Sequence, residues 1–277
     1  MKSSQVEHIS IKKINDNILE STDDQVAVEE PLEIKLEYSS TTGRIQKNIA
    51  VTMRTPGNDA ELAVGFLFTE GIIENNNSIK EIKTFSSDEN RILIRLQENI
   101  LPVLHNAERN FYSTSSCGIC GKASIDAIRL SSIYAKENEA VFIDVNVLYG
   151  LQETLRKEQL LFEHTGGIHA SALFTVDGNF IMIKEDVGRH NAFDKLIGAA
   201  FLNQQLPLNN CILLLSGRAS FELLQKAYMA GISIVAAVGA PSSLAVEMAK
   251  DAGITLIGFL RDGRFNLYSG DQRILIK

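Results

Sequence analysis

The stretch Cys211-Ile212-Leu213-Leu214-Leu215-Ser216-Gly217-Arg218-Ala219-Ser220 decides the fold of this chain. Its first five residues form an unbroken apolar run, which is typical of a strand buried on both faces of a sheet. The small, hydroxyl-rich residues that follow suit a loop before the helix predicted at 221–230. The same order then recurs, with strands predicted at 232–238 and 254–259 and a helix at 244–251. Strands that alternate with helices predict an α/β fold with a mostly parallel sheet.

The loops that follow these strands are the first candidate site. In a parallel sheet they emerge at the carboxyl edge, where α/β folds bind ligands. Three of the four loops contain arginine: Arg189, Arg218, and the pair Arg261 and Arg264. Two loops place small hydroxyl residues at a predicted helix start, where backbone N–H groups and the helix dipole favour an anion. We therefore expect an anionic, phosphorylated ligand, although no Walker lysine motif or G-x-G-x-x-G is present. The loops are 185–190, 216–220, 239–243 and 260–264.

The first part of the chain has a different pattern. Residues 31–38 alternate apolar and charged side chains, as a half-buried strand does, and 45–53 can return as its hairpin partner. A helix is predicted after Asp59, and residues 1–30 are expected to be extended or frayed. The prediction is a small N-terminal α+β domain over 1–110, followed by an α/β domain over 111–277.

The composition of the chain argues against several classes of protein. The chain has 277 residues, 45% of them apolar, and a net charge of −7, which argues against nucleic acid as a partner. The start lacks the pattern of a signal peptide, and no apolar run is long enough for a membrane span. Three cysteines are too few for a disulfide scaffold. We expect a cytoplasmic protein.

Cys117 and Cys120 form the second candidate site. A pair with this spacing can bind zinc, cycle as a dithiol, or present one activated thiolate. Zinc needs four ligands, and although His164 and His169 could complete a set, no second pair has a familiar spacing. The surrounding sequence lacks the motif of a zinc deaminase. A helix predicted to begin just after the pair, with a lysine beside it, favours a thiolate that transfers a group.

A resemblance to a known family covers nearly the whole chain. Five motifs occur in the same order as in the FdhD family, the formate dehydrogenase accessory proteins, and 29–32 and 63–71 match as well. The resemblance implies a sulfur carrier that accepts sulfane sulfur from a cysteine desulfurase as a persulfide. It would pass this sulfur to the bis(molybdopterin guanine dinucleotide) molybdenum cofactor used by formate dehydrogenase. The motifs are Ser116-Cys117-Gly118-Ile119-Cys120-Gly121, His164-Thr165-Gly166-Gly167-Ile168-His169-Ala170, Glu185-Asp186-Val187-Gly188-Arg189-His190-Asn191, Ser216-Gly217-Arg218-Ala219-Ser220 and Gly258-Phe259-Leu260-Arg261-Asp262-Gly263-Arg264.

The resemblance also assigns residues. It implies that Cys117 carries the persulfide with Cys120 in support, that the larger domain has a cytidine-deaminase-like fold without zinc, and that the protein is a homodimer. No permanently bound metal is expected, and the activity would be that of a sulfurtransferase more than of a metabolic enzyme. Two alternatives stay open, a cofactor-binding chaperone that carries no sulfur and a structural zinc or redox module. The expected cofactor-binding residues are Leu260, Arg261, Asp262, Gly263, Arg264, Phe265, Arg218, Ser216, Arg189, His190 and His169.

Overall fold

A computed structural model describes residues 4–41, 43–85, 88–104, 130, 132–134 and 141–276 of the chain. Cys117 and Cys120 and the predicted domain boundary at 110/111 lie outside the described residues, as does most of the helix predicted at 123–134. The end of that predicted helix, residues 132–134, is not helical.

The N-terminal region contains three antiparallel hairpins, β1–β2, β3–β4 and β5–β6, and a helix among its described residues. β1 and β2 form a separate two-stranded ribbon, and β3 to β6 form a four-stranded sheet of order β4-β3-β6-β5. The alternation predicted for β3 is confirmed, since Leu32, Ile34 and Leu36 are fully buried. The elements are β1 (Val6–Asn15), β2 (Ile18–Ala27), β3 (Glu30–Ser40), β4 (Gly43–Arg54), α1 (Asp59–Thr69), β5 (Ile79–Phe85) and β6 (Asp88–Leu96).

The second region carries the strand–helix repeats. The strands and helices predicted from the opening stretch are confirmed, with bounds that differ by at most two residues. Its elements are β7 (Ile143–Asp144), α2 (Val145–Glu158), α3 (Leu160–Thr165), β8 (His169–Thr175), β9 (Phe180–Asp186), α4 (Arg189–Leu202), β10 (Cys211–Leu215), α5 (Phe221–Met229), β11 (Ile234–Ala237), α6 (Ser243–Asp251), β12 (Thr255–Arg261), β13 (Arg264–Ser269) and β14 (Ile274–Leu275).

The main sheet has six strands in the order β13-β12-β11-β10-β8-β9. The α/β class is confirmed, but the sheet is mixed and not mostly parallel. Only β10–β11 and β11–β12 pair in parallel, because helical crossovers connect these three strands. The flanking strands belong to the hairpins β8–β9 and β12–β13, and β8 also runs antiparallel to β10. The three central strands still end at one edge, so the predicted alignment of their loops holds.

Both faces of this sheet are covered by apolar packing. One face contributes Leu213 and Val235 to a core shared with α1, α4 and the four-stranded sheet. The other contributes Ile212 and Leu214 to a smaller core that includes α2. Helices α1 and α4 approach closely at two glycines, where a Cβ on Gly65 would lie only 1.9 Å from the Asp194 carbonyl oxygen. The N-terminal region is therefore packed directly against the helix whose start lies at the candidate site.

Candidate functional site

The loops after β10 and β11 and the end of β12 are joined by backbone hydrogen bonds. The Gly239 N–H donates to the Gly217 carbonyl at 2.9 Å, and the Phe259 N–H donates to the Gly239 carbonyl at 3.1 Å. The Ala219 N–H donates to Ala240 at 3.2 Å. A Cβ on Gly239 would meet the Gly217 carbonyl oxygen at 2.8 Å, so this close approach requires glycine. The three segments thus form one continuous surface.

Two helices begin at this surface without a side-chain cap. α4 begins after Gly188 and α5 after Ser220, and neither preceding residue accepts a capping hydrogen bond on its side chain. By contrast, the Ser242 hydroxyl at the start of α6 accepts from the Ala245 N–H at 3.2 Å. The starts of α4 and α5 therefore lack an N-cap side-chain hydrogen bond, although Asp186 Oδ1 accepts from the Gly188 N–H at 2.8 Å and Glu222 lies in the first turn of α5.

Two histidines lie beside these helix starts, and both favour the neutral form. Burial, with Lys226 and Arg189 adding to it, lowers the pKa of His190 to about 4. Burial and the Arg189 charge also lower the pKa of His169. His190 Nε2 lies 3.3 Å from Ser220 Oγ, and His169 Nδ1 lies 3.3 Å from the position of a Cβ on Gly217. Each neutral imidazole offers one donor and one acceptor to a ligand.

The arginines at the edge differ in what they contact. Arg218 and Arg264 are exposed, and within the described part of the chain neither guanidinium has a hydrogen bond or ion pair. Arg189 is half-buried, and its buried Nε has no partner there either. Arg261 instead donates from Nη1 to the carbonyl oxygens of Val238, at 2.8 Å, and Leu260, at 2.7 Å. Arg261 therefore links the end of β11 to β12. Arg189, Arg218 and Arg264 retain N–H donors that could bind an anion.

The hairpin between β12 and β13 divides the predicted binding segment into anchored and exposed residues. Leu260 is fully buried, and the Phe265 ring packs 5.9 Å from that of Tyr149. Asp262 and Gly263 form the exposed tip of the turn, with Gly263 at φ +70°. The structure thus presents Asp262, Gly263 and Arg264 to solvent and uses Leu260 and Phe265 to hold the hairpin in place.

Phe259 is an edge residue that the sequence reasoning missed. Its side chain is 44% exposed, and its backbone is left-handed with φ +54°, which is unusual for a bulky residue. This conformation coincides with the register shift between Gly258 and Arg261, where the β12–β13 pairing is irregular. No sequence signal marks such a bulge in a strand that otherwise reads as regular.

A buried charge cluster positions the turn that carries Arg189 and His190. The Lys195 Nζ lies 2.6 Å from Asp186 Oδ2. Asp186 Oδ1 accepts from the Gly188 N–H at 2.8 Å and from Asn191 Nδ2 at 3.2 Å. Burial raises the pKa of Asp186 against the opposing effect of Lys195.

The same cluster reaches the N-terminal region. The Thr55 N–H donates to Asp186 Oδ2 at 3.2 Å, and Lys195 Nζ donates to the Thr55 carbonyl at 2.8 Å. Asn191 Nδ2 donates to the Met53 carbonyl at 2.7 Å. The end of β4 and the start of α4 are therefore fixed to each other. Sequence reasoning missed this connection, because nothing local pairs Thr55 with a carboxylate 131 residues later.

Three further residues, Ser216, Cys211 and His164, have positions that bear on their possible roles. The Ser216 hydroxyl accepts from the Ala170 N–H at 2.8 Å, which ties the loop after β10 to the start of β8 beside His169. Cys211 is half-buried, and burial raises the pKa of its thiol, so less of it is thiolate at neutral pH. His164 is exposed on α3.

No cluster of three or more histidine, cysteine, aspartate or glutamate side chains suited to a metal ion occurs in the described ranges, which do not include the Cys117 pair. Among the helices that the structure describes, none combines the length and apolarity needed to cross a membrane.

The fold and site define an α/β protein with a cationic surface at the carboxyl edge of a mixed sheet. Residues 27–275 match the model of the FdhD/NarQ family, and the chain belongs to this family.

Two relatives agree with this assignment, and one solved structure shares the fold. The chain is 44% identical to the sulfur carrier protein FdhD of Streptomyces avermitilis, over 98% of this chain and 96% of the relative. It is also 44% identical to the protein of that name from Sulfolobus acidocaldarius, over 98% and 99% of the two chains. The crystal structure of a formate dehydrogenase accessory protein from Desulfotalea psychrophila is 23% identical, with a TM-score of 0.75 over 98% of this chain and all of that one. This last likeness concerns the fold alone.

Proposed function

We propose that this protein is a sulfur carrier that supports formate dehydrogenase. The observation that carries the proposal is its family membership, together with 44% identity over nearly full length to relatives named sulfur carrier protein. The cationic edge is the second support, because a carrier needs a place to hold the acceptor of its sulfur.

Cys117 would carry the sulfur. Its thiolate attacks the outer sulfur of a persulfide on a cysteine desulfurase, which leaves a persulfide on Cys117 and a thiolate on the donor enzyme. Cys120 would assist this exchange. Cys211 is a poor alternative carrier, because burial raises the pKa of its thiol and a thiolate is the attacking species.

The acceptor would be the bis(molybdopterin guanine dinucleotide) molybdenum cofactor, as substrate. Its phosphates suit Arg218 and Arg264, whose guanidinium groups have no partner within the described ranges, and the backbone N–H groups in the first turns of α4 and α5, where the N-cap side chains make no hydrogen bond. The neutral imidazoles of His169 and His190 suit the uncharged donors and acceptors of such a ligand. Asp262 and Gly263 would contribute at the hairpin tip.

Restoration of formate dehydrogenase activity tests this function. In cells that lack a carrier of their own, the wild-type chain should restore activity, and Cys117→Ala should lower it at least about tenfold because the nucleophile is lost. Cys211→Ala is the matched control, since it removes a thiol of low reactivity, and it should support activity close to wild type.

The activity assay and a measurement of zinc content distinguish the sulfur carrier from a cofactor-binding chaperone and from a structural zinc module. Full activity with Cys117→Ala would contradict sulfur transfer and favour a chaperone that only binds the cofactor. Stoichiometric, tightly bound zinc that is lost in both Cys117→Ala and Cys120→Ala would instead assign the pair to a structural metal site.

A further inference from the structure

Two aspartates of this chain are followed directly by glycine, Asp177 by Gly178 and Asp262 by Gly263. Each pair lies in the turn of a hairpin of the main sheet, the first between β8 and β9 and the second between β12 and β13. The backbone nitrogen that follows an aspartate can attack the side-chain carboxyl carbon when the two atoms approach each other. Glycine favours this approach, because it has no Cβ and its backbone adopts many conformations. The two pairs are alike in sequence, and their surroundings in the fold differ.

The Asp177–Gly178 pair is held in place. The Gly178 N–H donates to the Thr175 carbonyl at 2.9 Å, and the Asn179 N–H donates to Thr175 Oγ1 at 3.1 Å. Gly178 is half-buried against α2, where a Cβ on it would lie 2.8 Å from Val147 Cγ1. A hydrogen bond and close packing therefore keep the Gly178 nitrogen from turning towards the Asp177 carboxyl.

The Asp262–Gly263 pair lacks these restraints. Arg261 and Arg264 are opposite each other at the ends of β12 and β13, so Asp262 and Gly263 alone form the tip. Both tip residues are exposed, and apart from the chain neighbours no described atom lies within 4 Å of a Cβ position on Gly263. Within the described part of the chain, the Gly263 N–H has no backbone acceptor. Its nitrogen is therefore free to approach the Asp262 carboxyl.

The base of the same hairpin is anchored. Leu260 is fully buried, and the Phe265 ring lies 5.9 Å from that of Tyr149. The tip can therefore change its conformation while the strands beneath it stay in the sheet, so a reaction at the tip does not require unfolding.

We propose that Asp262 is a site of spontaneous isoaspartate formation in the folded protein. The Gly263 nitrogen attacks Cγ of the protonated Asp262 carboxyl, a C–N bond forms, and the carboxyl hydroxyl leaves with the amide proton as water. The product is a cyclic succinimide. Water then opens the ring at either carbonyl, which restores aspartate or gives isoaspartate, whose main chain runs through the former side chain. One water leaves and one water enters, so the reaction needs no oxidant, reductant or enzyme.

The rearrangement lengthens the main chain of the tip by one carbon and moves the carboxylate. Its effect on binding rests on the proposed function. If the edge holds the guanine-nucleotide cofactor, the longer tip displaces the Arg264 guanidinium and the Asp262 carboxylate, and binding weakens. The formation of isoaspartate does not depend on that function.

Ageing of the full-length protein in water enriched in the heavy isotope of oxygen tests the proposal, because ring opening adds one heavy oxygen at the reacting residue. After digestion in ordinary water, mass spectrometry should find this label on the Asp262 peptide, increasing with time, and fragmentation should identify isoaspartate there. The Asp177 peptide of the same sample is the matched control and should stay unlabelled. In protein aged in urea both peptides should be labelled, because the restraints on Gly178 are lost.

A variant checks the chemistry of the label. Asp262→Glu should remove it, because the longer side chain would have to close a larger and less favourable ring. Equal labelling of the two peptides in the folded protein overturns the proposal. An Asp262 peptide that is labelled only in urea overturns it as well.

GDP affinity, measured on separated fractions with and without isoaspartate, tests the effect on binding by itself. Weaker binding by the isoaspartate fraction is expected. Equal affinities would overturn that effect and leave the rearrangement at Asp262 established by its label.

Discussion

The interior between helices α1, α4 and α5 and the carboxyl edge of the main sheet both carry charge, but they treat it in opposite ways. In the interior, Lys226 Nζ lies 2.9 Å from Asp194 Oδ1, 2.8 Å from Thr69 Oγ1 and 3.5 Å from Glu70 Oε1. At the edge, Arg218 and Arg264 are exposed and have no partner within the described ranges. A buried charge destabilises the fold unless an opposite charge pairs with it. An exposed cation is solvated by water, so it needs no partner in the protein and is free to bind a ligand. We infer that the first set maintains the fold and the second set serves binding.

The Asp186 cluster belongs to both regions. It is buried and paired like the interior set, but it holds the turn that carries Arg189 and His190. Its contacts with Thr55 also fix β4 to that turn. The N-terminal region thereby contributes to the shape of the edge.

Removing the interior cation should have the largest effect on stability. Lys226→Met leaves Asp194 buried beside Glu70 without a counter-charge, and we expect a loss of about 3–5 kcal/mol in the free energy of unfolding. Burial opposes the charged form of Lys226, but the carboxylates of Asp194 and Glu70 outweigh it and raise the pKa of Lys226, so the amine is charged in the fold. Urea denaturation gives the value.

The control for this prediction is Lys157→Met. Lys157 pairs with Glu153 on the surface of α2, where the two side chains are 68% and 74% exposed, and this variant should lose no more than about 1 kcal/mol. Similar losses in the free energy of unfolding for Lys226→Met and Lys157→Met would contradict the distinction between the buried and the exposed lysine.

A pH titration of stability should show the next largest effect, through His190. Its pKa is about 4 in the fold and near 6.5 in an unfolded chain, so the unfolded state binds more protons between these values. Stability should therefore fall as the pH is lowered from 6.5 to 4, by roughly 2–3 kcal/mol from this residue. We would compare wild type with His190→Gln by denaturation across this range, because the glutamine does not titrate. Parallel curves for the two proteins would show that His190 is not held neutral.

The edge arginines should affect binding and leave stability nearly unchanged. Arg218→Ala and Arg264→Ala should each weaken binding of GDP, a probe for the guanine nucleotide, by roughly 1.5–3 kcal/mol, or about 10- to 150-fold. Their free energies of unfolding should stay within about 0.5 kcal/mol of wild type. Calorimetric titration gives the affinity.

Arg91→Ala serves as the control for these variants. Arg91 lies on β6 in the four-stranded sheet and pairs with Glu33 at 3.0 Å, away from the edge, so GDP affinity should not change. Wild-type affinity in both edge variants would contradict the placement of the ligand.

Local pattern explains what the sequence could predict. The apolar run of β10 follows from burial of both faces of that strand, and the alternation of β3 follows from burial of one face. Both patterns can be recognised in the sequence. The antiparallel pairing of β8 with β10 could not be predicted, because local patterns do not specify which distant strand β8 meets in the sheet. The pairing of Lys226 with Asp194 and Glu70 could not be predicted either, because the three residues are far apart in sequence. Lys226 lies on α5, Asp194 on α4, and Glu70 directly after α1.

The β1–β2 ribbon shows a signal that was available but not used. Residues 1–30 were expected to be extended or frayed because they are polar. Asp16 and Asn17 nevertheless form a two-residue turn in which both have positive φ, 47° and 67°. Asparagine and aspartate are favoured at such positions in tight hairpins, so this pair could have predicted the ribbon.

The central claim is that Cys117 carries sulfur. Peptide mass spectrometry after incubation of the full-length protein with a cysteine desulfurase and cysteine tests it most directly. We predict one additional sulfur on the peptide that contains Cys117, absent in Cys117→Ser and retained in Cys211→Ser. Persulfide on Cys211, or no added sulfur on Cys117 while the desulfurase itself is loaded, would contradict the claim.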